Sequence, residues 1–323
     1  MRIAVLGAGA WGTALAVQAA RAGLEVSLWA READRAAAMA ATRENARHLP
    51  GVTLPAAIAP TADLAALDGA AFVLLAIPAQ HLRAILDRLP SAPPPLVIAA
   101  KGVERGSLLL PLEIAETLRP GPAAILSGPN FAREVAEGLP AAAVVASRDP
   151  ALRDRVGALM GTTGFRLYGG DDPIGVQVGG AAKNVIAIAA GAVIGAGLGE
   201  NARAALVTRG LAELSRLAVA LGGRAETAAG LSGLGDLLLT ATGPGSRNTA
   251  LGMELGRGRS LAEALAGKVS VAEGAATAPA LVARAAAAGV ELPICAAVAD
   301  LLAGALTVPE AMGRLLARPR RDE

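Results

Sequence analysis

Residues 1–32, MRIAVLGAGAWGTALAVQAARAGLEVSLWARE, decide how the whole chain is read. One basic residue, an apolar run and Ala-x-Ala spacings are compatible with a secretory leader. The same residues also make a strand, turn and helix. Arg2 precedes the run Ile3-Ala4-Val5-Leu6, fit for a buried parallel strand. Gly7, Gly9 and Gly12 then fall in the spacing G-x-G-x-x-G, opening a helical segment to about Ala22. In that reading the three glycines serve a tight turn, backbone approach to a pyrophosphate, and close helix-to-strand packing. A phosphate fits at the helix N-terminus, where free N–H groups and the helix dipole favour anions.

The chain beyond the glycines separates the two readings, because a leader needs no series of βα units and a dinucleotide fold does. After RIAVL come LEVSLW (24–29), AFVLLAIP (71–78), PLVIAAKG (95–102), AAILSGP (123–129), AAAVVAS (141–147) and GFRLYGG (164–170). Each has strand length and most precede a candidate helix, which predicts a doubly wound α/β sheet of parallel strands. From about Asp172 the texture changes to Ala/Leu/Arg segments at 174–196, 201–221, 249–256, 260–266, 275–288 and 294–304. The expected organisation is a Rossmann-type dinucleotide-binding domain over 1–172 and an all-helical substrate domain over 173–323. The opening stretch is therefore read as a cofactor site.

Length and composition agree with this. A chain of 323 residues exceeds the size at which a single core stops growing. Net charge is +2, from 30 basic and 28 acidic residues, with no Lys/Arg run of five or more, so no nucleic-acid partner is indicated. The tail RPRRDE reads as a solvated end. Cys295 is the single cysteine, which excludes an intrachain disulfide and suits a reducing compartment such as the cytoplasm. Mean hydropathy is +0.48, and the most apolar stretch, Val185 to Gly199, has 15 residues and four glycines. That is too short for a span, and it is expected to be a buried, closely packed core helix. No zinc-ligand spacing and no G-x-S-x-G elbow occurs, so no metal is expected.

The rarity of lysine directs attention to its positions. Lysines stand only at 101, 183 and 268, against 27 arginines. Lys can lose its proton when desolvated, whereas Arg effectively cannot. Lys101 ends a strand-like run at the carboxyl edge of the expected sheet, where doubly wound folds bind ligands. Lys183 heads the most apolar helix, where burial lowers the pKa of an amine and equips it for proton transfer. Lys268 reads as a surface charge. A second cluster spans 231–252, LSGLGDLLLTATGPGSRNTALG, in which Asp236 is followed by Ser246-Arg247-Asn248. Arg offers a forked cation and Ser and Asn further donors, a combination suited to an anionic group. Asp236 and Ser246 are equally suited to capping helices. Gly128-Pro129-Asn130-Phe131-Ala132 is a third polar stretch, expected to line the same cleft. His48 falls in a loop and His81 starts a helix, and neither reads as catalytic. At the end of the second strand the chain offers both Arg31, which suits the phosphate of NADP, and Glu32, which suits the ribose of NAD. The proximity of Arg31 to the strand favours NADP.

Taken together, GAGAWGTALA, AAKG, LSGPNFAREVAEGLPAAAVVAS, GGAAKNVIAIAAG, NARAALVTRGLAEL, GLSGLGDLLLTATGPGSRNTALG and VAEGAATAPA resemble the bacterial-type NAD(P)-dependent glycerol-3-phosphate dehydrogenases. The likeness runs from the first strand to about residue 312. It implies a 6-phosphogluconate-dehydrogenase-like helical domain, reversible hydride transfer between NAD(P)H and dihydroxyacetone phosphate, sn-glycerol 3-phosphate as product for phospholipid synthesis, and a homodimer. It further implies that Gly7, Gly9, Ala10, Trp11, Gly12, Arg31, His48, Lys101, Ala132, Arg247, Val271 and Glu273 meet the cofactor. Lys101, Gly128, Asn130, Lys183, Asp236, Ser246, Arg247 and Asn248 would surround the substrate, with Lys183 as general acid and base. Two positions depart from the family's habit: Asn130 stands where Ser or Thr is usual, and Ala10 where Ser is frequent. Two other readings remain from sequence: a related dehydrogenase acting on another hydroxy acid or hydroxy phosphate, and a non-catalytic NADP-binding regulator.

Overall fold

The computed structural model describes residues 1–243, 245–266 and 272–319. Lys268 and Val271 lie outside them. The chain divides into two compact units, Met1–Lys101 with Leu110–Val176, and Gly102–Leu109 with Gln177–Glu323.

The first unit is built on the strands β1 (Arg2–Leu6), β2 (Glu25–Trp29), β3 (Glu44–Asn45), β4 (Leu49–Thr53), β5 (Ile58–Thr61), β6 (Val73–Leu75), β7 (Leu96–Ile98), β8 (Ala123–Ser127), β9 (Ala141–Ala146) and β10 (Phe165–Gly170). Its helices are α1 (Ala10–Arg21), α2 (Ala33–Thr42), α3 (Ala79–Leu86), α4 (Pro111–Leu118), α5 (Ala132–Glu137) and α6 (Pro150–Met160). Eight strands form one sheet in the order β10-β9-β8-β7-β6-β1-β2-β5, and β3 and β4 pair antiparallel in a separate ribbon. Ile3, Val5 and Leu6 of β1 are fully buried, as expected where helices cover both faces of a parallel sheet. The chain runs outward from β1 through β2 to β5, then returns to the other side of β1 as β6. This reversal creates a switch point between β1 and β6, at whose carboxyl end ligands of such sheets bind.

Three features differ from the sequence expectation. The sheet is not parallel throughout, because β9 runs antiparallel to β8 and parallel to β10. Alternation and burial encode which residues face the core, not the direction in which a strand enters the sheet. Strands β3, β4 and β5 are additional to those expected, since β3 has only two residues and LPGVT and IAPT carry Pro and Gly. Pro60 is tolerated because β5 is the last strand at its edge of the sheet. Finally, β6 and β7 have only three residues each, shorter than their apolar runs.

The second unit holds α8 (Gly199–Ala220), α9 (Ala225–Ala228), α10 (Asp236–Thr242), α11 (Arg247–Gly256), α12 (Leu261–Leu265), α13 (Glu273–Ala287), α14 (Pro293–Leu302) and α15 (Val308–Leu316), with most of α7 (Pro173–Gly195). Residues Leu231–Gly235 form a π-helical turn directly ahead of α10. The apolar stretch expected as one core helix over 185–199 lies in α7 only as far as Gly195, where the helix ends, and α7 itself, at 23 residues, is long and apolar enough by length and composition to cross a membrane. Its most apolar window is 89% buried within the protein, and that burial, not its length, makes it a core helix. Val178, Val185, Ile186 and Ile188 are at most 1% exposed, each worth about 1.5–3 kcal/mol of apolar burial. The close packing expected of its small residues is present against α11. A Cβ on Gly191 would fall 2.1 Å from the Thr249 carbonyl oxygen, and one on Gly252 would fall 2.0 Å from that of Ile188.

Candidate active site

The glycine loop joins β1 to α1 at the switch point. Gly7 has φ +108°, and a Cβ there would lie 2.4 Å from the Ala76 carbonyl oxygen just beyond β6. A Cβ on Gly12 would lie 1.8 Å from the Gly7 carbonyl oxygen, so the first turn of α1 sits directly on the loop. Both positions are closed by protein. Gly9, the N-cap of α1, is different: a Cβ there meets nothing within 4 Å. Two glycines thus let the protein pack against itself, and the third keeps the helix N-terminus open to an incoming group. This is the form that fits a dinucleotide pyrophosphate. Ala10 and Trp11 form the first turn of α1.

The loop is fastened from below by residues that sequence reasoning missed. Buried Asn45 of β3 donates to the Ala8 carbonyl at 2.9 Å and to Thr13 Oγ1 at 2.7 Å. Arg35 of α2 donates to the same carbonyl. Beyond β2, exposed Arg31 lies 3.4 Å from Glu32, and Arg47 lies 3.6 Å from the same carboxylate. His48 lies next to Arg47 in the β3–β4 turn, its N–H bonded to the Asn45 carbonyl at 3.1 Å. The one sequence signal for Arg35 is its place in the first turns of the helix after β2. That signal is weak, because an Arg on an Ala-rich helix looks like a solvated face.

At the ends of β7 and β8 the first unit brings three expected residues together. Lys101 Nζ donates to the Gly128 carbonyl at 3.4 Å. Gly128 has φ +153° and leaves no room for a side chain, since a Cβ would lie 2.8 Å from the Ala143 Cα. Asn130 Nδ2 donates to the Ala142 carbonyl at 3.0 Å, while its Oδ1 is buried without a hydrogen-bond partner. A buried acceptor left unpaired is costly, and a donor on a ligand would satisfy it. Ala132 begins α5, with Phe131 as N-cap.

In the helical unit the fold gathers residues far apart in sequence. Lys183 is 8% exposed, and its Nζ lies 2.8 Å from Asp236 Oδ1 and 2.9 Å from Thr240 Oγ1. Thr240 also donates to Asp236 Oδ1 at 3.3 Å. Asp236 and Thr240 are four apart on α10 and so share a face. From sequence, burial is the influence on the Lys183 pKa and Asp236 a candidate either to orient Lys183 or to hold a substrate hydroxyl; the structure places the carboxylate beside the amine, where it works against burial and favours the ammonium. The result is an amine with a fixed direction, held between a carboxylate and a hydroxyl. Thr240 is invisible from sequence, because TAT on an apolar helix carries no sign of its partner.

The neighbouring polar segment is partly committed to structure. Ser246 caps α11, its Oγ accepting the Thr249 N–H at 3.2 Å. Asp236 does not cap its helix: the N-cap of α10 is Gly235, and the Asp236 side chain serves Lys183. Buried Asn248 donates to Asn184 Oδ1 at 2.8 Å and accepts the Gly274 N–H at 3.0 Å, tying α11 to α7 and to the start of α13. Arg247, by contrast, is exposed at the first position of α11. Glu273 is the first residue of α13. Among the described residues no group of three or more metal-ligating side chains occurs.

Comparison with known proteins identifies what this arrangement belongs to. Residues 2–153 match the model of the NAD-dependent glycerol-3-phosphate dehydrogenase N-terminus, and residues 172–313 that of its C-terminus. The chain belongs to the NAD-dependent glycerol-3-phosphate dehydrogenase family. A glycerol-3-phosphate dehydrogenase [NAD(P)+] of Rhodospirillum rubrum is 54% identical over 277 residues, covering 84% of this chain and 79% of the relative. One from Caulobacter vibrioides is also 54% identical over 277 residues, covering 84% of each. Among solved structures, the glycerol-3-phosphate dehydrogenase of Coxiella burnetii superposes with a TM-score of 0.94 at 38% identity, covering 98% of this chain and 99% of that one. Membership of the glycerol-3-phosphate dehydrogenase family accounts for both glycine-loop geometry and a helical second unit, and it makes the chain an NAD(P)-dependent oxidoreductase.

Proposed function

We propose that this chain reduces dihydroxyacetone phosphate to sn-glycerol 3-phosphate with NADPH, and reverses the reaction, using Lys183 as the proton donor and acceptor. The observation that carries this reading is buried Lys183, whose Nζ is held at 2.8 Å by Asp236 and 2.9 Å by Thr240. The bound nicotinamide supplies the hydride to the ketone carbon. Negative charge then develops on the ketone oxygen, where a fixed ammonium both stabilises it and delivers the proton. In the reverse direction the neutral amine takes the hydroxyl proton as hydride leaves. Asp236 and Thr240 aim the amine and keep it charged until transfer.

The other assignments rest on what each group offers. Gly7, Gly9, Ala10, Trp11 and Gly12 form the pyrophosphate cradle, with Arg31, His48, Lys101, Ala132, Arg247, Val271 and Glu273 as further cofactor contacts. Lys101, Gly128 and Asn130 hold the substrate's polar groups, the unpaired Asn130 Oδ1 being an acceptor for a substrate hydroxyl. Arg247, with Ser246 and Asn248, binds the phosphate and so contributes binding energy remote from the reacting carbon. Functionally, 1–172 is the dinucleotide-binding domain and 173–323 the substrate domain.

A homodimer is part of this proposal. An open, largely apolar groove of about 750 Å³ on the helical unit, lined by α7, α8, α14 and α15, includes Leu316, which is 77% exposed. A second copy of the chain is its proposed cover, and sedimentation at micromolar concentration checks it: a monomer contradicts the dimer. The single buried, free Cys295 supports a cytoplasmic enzyme, feeding glycerol 3-phosphate to phospholipid synthesis.

The direct test monitors NADPH absorbance with dihydroxyacetone phosphate and, in parallel, with unphosphorylated dihydroxyacetone. Rapid oxidation restricted to the phosphorylated ketone is expected. No oxidation by folded, NADPH-binding protein would refute the activity.

A further inference from the structure

We propose that Arg35 and Arg47 join Arg31 in a clamp for the 2′-phosphate of NADP(H), an inference that rests on the dinucleotide reading of the glycine loop. Four observations converge on it. Where a doubly wound fold that prefers NAD places a carboxylate at the end of its second strand, this chain has buried Ala30, its N–H bonded to the Thr61 carbonyl at 2.8 Å. The carboxylate nearest to that position, Glu32, is already shared between Arg31 at 3.4 Å and Arg47 at 3.6 Å.

Arg35 is the second observation. It reaches from α2 to the Ala8 carbonyl inside the glycine loop, and its Nε is buried without a hydrogen-bond partner. Third, Asn45 binds that same carbonyl at 2.9 Å, which fixes the β3–β4 turn, and with it Arg47, beside the loop. Fourth, the cluster is electrostatically unbalanced. Burial, and then the neighbouring Arg47 and Arg31 charges, push the Arg35 guanidinium below its ordinary value, with Glu32 as the opposing carboxylate. Three guanidinium groups face one carboxylate, and a dianion placed among them would relieve the repulsion and satisfy the orphaned donor.

The probes are 2′,5′-ADP and 5′-AMP, which differ by the 2′-phosphate alone, titrated calorimetrically into the full chain. Wild-type protein is expected to bind 2′,5′-ADP much more tightly, and Arg47→Ala or Arg35→Gln to lower that preference about tenfold each, as loss of one charge-assisted hydrogen bond requires. Arg47 is exposed on a turn, so its variant keeps the test valid even if Arg35→Gln fails to fold. The NADPH-to-NADH affinity ratio should fall in parallel. A wild-type protein without preference for 2′,5′-ADP, or a preference unchanged in both variants, overturns the clamp. If NADH still binds and supports turnover in that case, the dinucleotide reading stands and the clamp alone is wrong. If wild-type protein binds neither NADPH nor NADH, both fall.

Discussion

The glycine loop and the Lys183 cluster do their work by opposite means. In the first unit, chemistry depends on side chains that are missing: a Cβ on Gly7 or Gly12 would strike backbone, and at Gly9 the space is left open. In the helical unit it depends on side chains that are present and buried, drawn from positions 183, 236 and 240. A site made of backbone and absent side chains is written locally, in six residues. One made of converging side chains is written across more than fifty, and only folding assembles it. The two should therefore respond differently to substitution: the loop through binding and stability, the cluster through the chemical step.

The largest effect is expected at the cluster. Lys183→Ala should lower kcat about 10²–10⁴-fold while NADPH still binds, as removal of a positioned general acid predicts. Stopped-flow measurement of hydride transfer checks it, and an unaltered rate would remove the distinction between the two regions. Next, Arg247→Ala should raise the KM for dihydroxyacetone phosphate by the equivalent of about 1.5–3 kcal/mol with a smaller change in kcat. An unchanged KM would place the phosphate elsewhere.

Two glycine variants sharpen the contrast within the loop itself. Gly12→Ala puts a methyl 1.8 Å from the Gly7 carbonyl oxygen and should cost about 1–3 kcal/mol in a urea titration. Gly9→Ala meets no protein atom within 4 Å, so it should leave the urea midpoint in place and weaken NADPH binding. Equal destabilisation by both would contradict the division of labour between these glycines.

The smallest effect belongs to a buried carboxylate outside the site. Glu213 on α8 accepts the N–H groups of Ile294 at 2.6 Å and Cys295 at 3.2 Å, capping the start of α14. Burial pushes its carboxyl above the ordinary range. The folded state therefore holds a proton that the unfolded state has released, between the ordinary carboxylate value and the raised one. This contribution to stability grows as pH falls through that window and is lost as pH rises through it. Glu213→Gln should flatten this part of the stability–pH curve, and an identical slope in the variant would show that the group does not titrate there.

This contrast also explains what could be read in advance. The β1-α1-β2 unit was legible because glycine spacing and apolar runs act over neighbouring residues. The helical texture after Asp172 was legible for the same reason. Strand direction was not, because β9 has the same burial whichever way it enters the sheet. Within the site, Lys183 and Asp236 stood out, one by rarity and one by setting, with orienting Lys183 as one of two roles open to Asp236. Their pairing depends on how α7 and α10 meet, which local pattern does not encode. Thr240 and Asn45 had no local signal at all, since a Thr on an apolar helix and an Asn in a short polar segment are ordinary. Ser246 was legible as a cap and does cap α11, whereas the use of Asn248 in bridging α7 to α13 emerged only with the contacts themselves.

The central claim is that the Lys183 amine moves the proton. Chemical rescue tests it most directly: kcat of Lys183→Ala is measured with dihydroxyacetone phosphate and NADPH in increasing concentrations of methylamine or ethylamine. Activity that returns with amine concentration and saturates, while NADPH affinity stays constant, is the result predicted. A folded, NADPH-binding variant that no amine revives, or one fully active without any, would contradict the role assigned to Lys183.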